Sequence, residues 1–153
     1  MSLLKENELL TKNIEKMFQL VELFPEDAIS NAQTVLESTY KIILDEYRIS
    51  FDEKEDIPVL RRKVVNILRL NTRNQNKKSE IGQISIKILA GLEQIAQELN
   101  DLRNKYSSSH GHGNNQIEIP IRYAKLATKS AEMISEFLFL TMDERQGKSS
   151  EKD

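Results

Sequence analysis

The stretch IGQISIKILAGLEQIAQELNDLRNKY, residues 81–106, places Ile81, Ile84, Ile88, Leu92, Ile95, Leu99, Leu102 and Tyr106 at successive separations of 3, 4, 4, 3, 4, 3 and 4 residues. An α-helix repeats every 3.6 residues, so these side chains fall on one stripe along about seven turns, the pattern of a bundle seam. Arg103 lies about 60° from the centre of that stripe, at ~100° of rotation per residue, and so takes a flank position. Gly91 is read either as a point where a neighbouring helix comes close or as a tolerated defect of ~1 kcal/mol.

Helical spacing continues on both sides. Leu3, Leu10, Ile14, Met17, Phe18 and Val21 predict a first helix that Pro25 terminates. Pro25-Glu26-Asp27 then opens a second, because proline suits the first turn and acids there complement the helix dipole. From Ala28 to Tyr47 this helix has a broad apolar face, expected to be central to the core. Residues 48–56 lose the period and connect to a third helix that starts at Pro58 and fades near Leu70. The run 71–78 is wholly polar and reads as a loop.

Beyond the fourth helix, residues 107–119 contain three Ser, two Gly and two Asn and break the pattern. Pro120 opens the last helix, whose face includes Ile121, Ala124, Ala127, Ala131, Ile134, Leu138 and Thr141. Small residues at these positions permit close helix packing. No strand alternation of consequence competes, so the expected fold is all-α, a four- to five-helix bundle. The expected organisation is an N-terminal helix over 1–24, a helical bundle over 25–142 and a disordered tail over 143–153.

Composition narrows the classes. The 153 residues include no Cys, which removes disulfides, zinc ribbons, thiolate nucleophiles and iron–sulfur clusters. No apolar run approaches the ~18 residues of a spanning helix, and acids occupy the place of a signal peptide's apolar region. A cytoplasmic protein with no membrane association is expected. Glycine-rich phosphate loops and the Gly-x-Ser-x-Gly elbow are missing.

The net charge of −2 conceals a basic block. Between Ile57 and Ser79 stand Arg61, Arg62, Lys63, Arg69, Arg73, Lys77 and Lys78 with no acid among them. Such a block is either a phosphate-binding face, here for RNA, or a solvated helix surface. The second chemically unusual stretch is Arg103 to Gly113, where the long helix stops and both histidines, His110 and His112, appear. An Arg there reads as a phosphate ligand or as a solvated cation at a helix end. A loop histidine reads as an acid–base group or as an exposed side chain. His-Gly-His could form half of a metal site, but with no Cys and no acid nearer than Glu118 no metal or other cofactor is expected.

Arg103-Asn104 followed by His110, at the end of a bundle helix, resembles the Arg-polar-x4–6-His motif of the HEPN superfamily of helical nucleic-acid-processing domains. Several companions are similar to the C-terminal domain of abortive-infection proteins. They are Thr34-Val35-Leu36-Glu37-Ser38 with Lys41-Ile42-Ile43-Leu44-Asp45-Glu46, Leu89-Ala90-Gly91-Leu92, His110-Gly111, and Arg122-Tyr123-Ala124-Lys125-Leu126-Ala127. The resemblance spans about residues 26–142. The chain departs from it at Ser107 and Ser108, where a glycine and another polar turn residue are usual. Serine enters left-handed backbone space less freely than glycine.

The resemblance implies a HEPN-like bundle and a metal-independent endoribonuclease in phage defence or toxin–antitoxin biology. In that reading Arg103 faces the phosphate, His110 moves a proton, Asn104 positions, and His112 joins the basic block in binding RNA. It implies a homodimer, in which two motifs meet at one composite site, and admits an antitoxin or defence-system protein as a further partner. The alternative is a non-catalytic HEPN-like module that binds RNA or nucleotides, or dimerises.

Overall fold

A computed structural model describes residues 7–107 and 119–151 of the chain. Among these, five α-helices and one short 3-10 turn account for the regular structure, and there is no strand. In chain order they are α1 (Glu8–Gln19), α2 (Pro25–Glu46), α3 (Ile57–Ile67), the 3-10 turn Thr72–Asn74, α4 (Glu80–Ser107) and α5 (Ile121–Glu151). The fold is an all-α bundle.

Local chemistry sets most of the boundaries. Asn7 caps α1 by accepting a 2.8 Å hydrogen bond from the Leu10 amide. Pro25 stands in the first turn of α2, ahead of Glu26 and Asp27. Ser79 caps α4, its hydroxyl accepting from the Gly82 amide at 2.8 Å. The ends of α2 and α3 are less expected, because each closes on an arginine in left-handed backbone space. Arg48 has φ 57° and Arg69 has φ 56°. Behind each, a 6→1 bond (Ile49 to Leu44, 2.9 Å; Leu70 to Val65, 2.9 Å) joins a 5→2 bond (Arg48 to Asp45, 3.0 Å; Arg69 to Asn66, 3.2 Å). This is the Schellman closure, usually made by glycine.

Helix α2 is the centre of the bundle and packs against all four other helices. Its residues Ala28, Ile29, Ala32, Val35, Leu36, Tyr40, Ile43 and Leu44 are all buried in one core. Helix α1 belongs to the same core through Leu10 and Met17, and α5 through Ala124, Ala127, Ala131, Ile134, Leu138, Phe139 and Met142. The small residues of α5 permit close packing, and among the described residues the contact of α2 with α5 is the most extensive between two helices.

Two features differ from the sequence reading. Helix α4 does not turn its isoleucine stripe to the core: Ile81 is 78% exposed and Ile88 56%, and Ile84 and Ile95 are exposed as well. The packed face is rotated from it and carries Leu89, Ala96, Leu99 and Asn100, with Leu92 at its edge. Ala96 lets α4 approach α2 where an isoleucine would hold it off. At the other end, residues 143–151, expected from their composition to be a disordered tail, continue α5. Asp143, Glu144, Arg145 and Gln146 extend the helix, and Gln146 Nε2 reaches Glu46 Oε1 at 3.4 Å.

Candidate nucleic-acid site at the end of α4

Arg103 and Asn104 lie in the last turns of α4, beside a polar cleft of about 420 Å³. Three elements build its walls. Glu37 comes from α2, Glu55 and Asp56 from the α2–α3 connection with Ile57 and Pro58 beginning α3, and Asn100 from α4 one turn before Arg103. Asn100 is buried and Arg103 half-buried. Arg103 carries no hydrogen bond or ion pair among the described residues, so its guanidinium presents its donors to the cleft.

The cleft depends on the α2–α3 connection, and two lysines fasten that segment. Lys41 Nζ pairs with Glu37 at 3.1 Å and bonds the Glu53 carbonyl at 3.1 Å. Lys63 Nζ pairs with Glu55 at 2.8 Å and reaches the Ser50 carbonyl at 3.3 Å. The hydrogen bond that Lys41 donates to the Glu37 carboxylate, helped by nearby carboxylate charge, holds the Lys41 ammonium above its ordinary pKa against partial desolvation. Both glutamates of the cleft are therefore matched by a lysine. Asp56 and Arg103 are its charges with no ion-pair partner among the described residues.

This geometry is joined by one comparison with known proteins. The HEPN-like domain found in abortive-infection proteins (Abi_C) matches residues 8–142, from the first residue of α1 to the last buried residue of α5. The chain belongs to that HEPN-like family. No curated protein and no solved structure gives a comparable match.

His110 and His112 lie outside the described residues of this HEPN-like domain. Arg103 and Asn104 are brought together with Glu37, which the family resemblance already carried, and with Asn100 and Asp56, which the sequence reading did not single out. Asn100 had a legible signal, since it stands three residues before Arg103 and shares its face. Glu37 belonged to a stretch that carries the resemblance, without a stated role, and Glu55 and Asp56 had no signal, because their approach depends on the chain turning back between α2 and α3.

The basic block divides. Arg62, Arg69, Arg73, Lys77 and Lys78 are exposed. Arg61 turns inward and donates from Nη2 to Gln97 Oε1 at 3.0 Å, and Lys63 is held by Glu55. Lys77 and Lys78 precede the start of α4, whereas Arg103 is near its end. At ~1.5 Å rise per residue, these two groups stand on the order of 35 Å apart along the helix.

Beside Arg103, on the other flank of α4, runs an apolar groove of about 470 Å³ between α4 and α5. Ile95, Leu99 and Leu102 face Tyr123, Leu126 and Ala127 across it. Leu126 is 62% exposed. Among the described residues no three His, Cys, Asp or Glu side chains gather as a metal ion would require, and no helix is long and apolar enough to cross a membrane.

Proposed function

We propose that this HEPN-like protein is a metal-independent endoribonuclease acting on RNA in the cytoplasm, in phage defence or toxin–antitoxin biology. The observation that carries the reading is Arg103, half-buried and unpaired among the described residues, facing an open polar cleft at the end of α4. An arginine so placed offers a forked, permanently charged donor to a phosphate. In the proposed reaction the ribose 2′-hydroxyl attacks the adjacent phosphorus and the bond to the 5′-oxygen breaks. Histidine, with an ordinary pKa of ~6.5, can take the first proton or supply the last. His110 has that role, Arg103 stabilises the crowded phosphorane oxygens, and Asn104 positions the phosphate.

A homodimer supplies the second acid–base group, with the apolar groove beside Arg103 as the contact surface. Such self-complementary interfaces close as two-folds. The exposed cations Arg62, Arg69, Arg73, Lys77 and Lys78 hold more distant RNA phosphates. Arg61 and Lys63 serve the fold, and His112 adds to RNA binding. An antitoxin or other defence-system protein would be a further partner.

Arg103→Ala and His110→Ala should each lower cleavage by about 10²–10⁴ without unfolding the chain. Cleavage should persist in EDTA and leave a 2′,3′-cyclic phosphate and a 5′-hydroxyl. Survival of cleavage in both variants, or a requirement for divalent metal, would remove this site. RNA binding should also weaken steeply with salt, and neutralising Arg73, Lys77 and Lys78 together should flatten that dependence.

The carboxylates favour one other reading. Glu37, Glu55 and Asp56 line the same cleft as Arg103, and a site crowded with acid is less suited to a phosphodiester than to a neutral or cationic group. On that reading the cleft does not hold the nucleic acid, and the domain is a non-catalytic module that binds RNA or nucleotides through other residues, or dimerises. RNA binding that remains unchanged in Arg103→Ala, with no cleavage by the wild type, would support it.

A further inference from the structure

Between α3, α4 and α5, with Tyr40 of α2, lies a half-open cavity of about 40 Å³ that is apolar on most sides, with Val64, Leu89 and Phe137 among its walls. Its polar residues are Tyr40, Arg61 and Glu93. Tyr40 is fully buried, and its hydroxyl has no hydrogen-bond partner among the described residues. Arg61 spends Nη2 on Gln97, but Nη1 is buried with no partner and no carboxylate makes an ion pair with the guanidinium. Glu93 is exposed at the rim, where solvent screens its charge.

Arg61 is half-buried, but a buried donor left without an acceptor is costly, and an anion at Nη1 would satisfy it and complement the guanidinium charge. The cavity exceeds the ~10–15 Å³ that one water requires, yet is far smaller than a drug-sized pocket of ~300 Å³ or more. An acetate-sized molecule is the scale that fits. Its two oxygens can accept from the two donors that line the cavity, and its methyl group matches the aliphatic and aromatic walls.

We propose that this cavity binds the carboxylate of a short-chain organic acid, with Arg61 Nη1–H and the Tyr40 hydroxyl donating to its oxygens and Leu89 and Phe137 flanking its alkyl end. The site lies between the helices and shares no lining residue with the Arg103 cleft. It holds whether or not the protein cleaves RNA.

The test is calorimetric melting of the whole protein at neutral pH, titrated with sodium acetate against sodium chloride at constant ionic strength. Acetate should raise Tm saturably by several degrees, as expected for a ligand that binds only the folded state. Tyr40→Phe, which preserves volume, should weaken acetate binding several-fold, and Arg61→Met should abolish the saturable rise. Line broadening of carbon-13 acetate by the wild type, lost in Arg61→Met, provides a second readout that does not depend on the variant's stability. An unsaturable rise equal in all three proteins would mean a general salt effect. No rise and no broadening would mean that the cavity holds water only, and either result overturns the proposal.

Discussion

Thr39 Oγ1 and Ser135 Oγ meet at 2.9 Å in the buried seam between α2 and α5, the only side-chain hydrogen bond joining those helices inside the core among the described residues. Thr39 donates its hydroxyl hydrogen to the Val35 carbonyl at 2.8 Å, which leaves Ser135 as the donor to Thr39 Oγ1. The two residues are therefore unequal. Removing Ser135 leaves Thr39 satisfied, while removing Thr39 obliges Ser135 to find another acceptor. Ser135→Ala should cost about 0.5–1 kcal/mol and Thr39→Val about 1–2 kcal/mol. Denaturant melts of the single and double variants should give a coupling of at least about 0.5 kcal/mol. Strict additivity would show that the 2.9 Å contact contributes nothing to stability.

Two glycines of α4 should respond in opposite directions to alanine. At Gly91 a Cβ would meet nothing within 4 Å, so Gly91→Ala should stabilise the monomer by up to about 1 kcal/mol through helix propensity. At Gly82 the added Cβ would overlap the Asn76 carbonyl, which is backbone and cannot swing aside. Gly82→Ala should destabilise by about 1–3 kcal/mol, by analogy with overpacking elsewhere. Thermal melts of the two variants at low protein concentration decide both signs.

Burial pushes the Tyr40 phenol up to about 12, with nearby Arg61 opposing and Glu93 adding to the shift. The unfolded phenol ionises near ~10, so between that pH and about 12 the unfolded state sheds the proton while the folded state keeps it. Stability should be unaffected by this group below pH ~10 and then fall, by on the order of 2–3 kcal/mol across the window. In Tyr40→Phe that component should vanish. Equal alkaline slopes for wild type and variant in urea melts would contradict it.

The exposed apolar surfaces of α4 and α5 should hold two chains together. Leu126→Asp places a charge in the groove opposite Ile95 and Leu102 and should turn a dimer into a monomer with little loss of fold. Light scattering at tens of micromolar distinguishes the outcomes, and a wild type that is already monomeric there would rule out the homodimer. If the isoleucine stripe also meets a partner helix near Gly91, Gly91→Ala should loosen the dimer even as it stabilises the monomer.

What the sequence determined by itself was the set of elements and their order, because those depend on local chemistry. Pro25, Pro58 and Pro120 stand at or beside helix starts, polar runs separate the periods, and α2 has an apolar face too broad to leave in water. The position of Arg103-Asn104 near the end of a long helix is local in the same sense, and so was legible before any packing. Tertiary structure decided which face of α4 was used. That helix carries two overlapping stripes that share Leu92 and Leu99: one continues through Ile84, Ile88 and Ile95, the other through Leu89 and Ala96. Periodicity cannot choose between them, whereas close packing against α2 favours the narrower face containing Ala96. The same dependence on distant partners set the arginine caps at Arg48 and Arg69, where docking of Ile49 and Leu70 onto the core accompanies the left-handed turn. It also turned Arg61 inward toward Gln97 and gathered Glu37, Asp56 and Asn100 around Arg103. Glu37 and Asp56 come close to Arg103 only because the chain turns back between α2 and α3 and lies against α4, a relation that no local pattern encodes, whereas Asn100 shares the helix of Arg103.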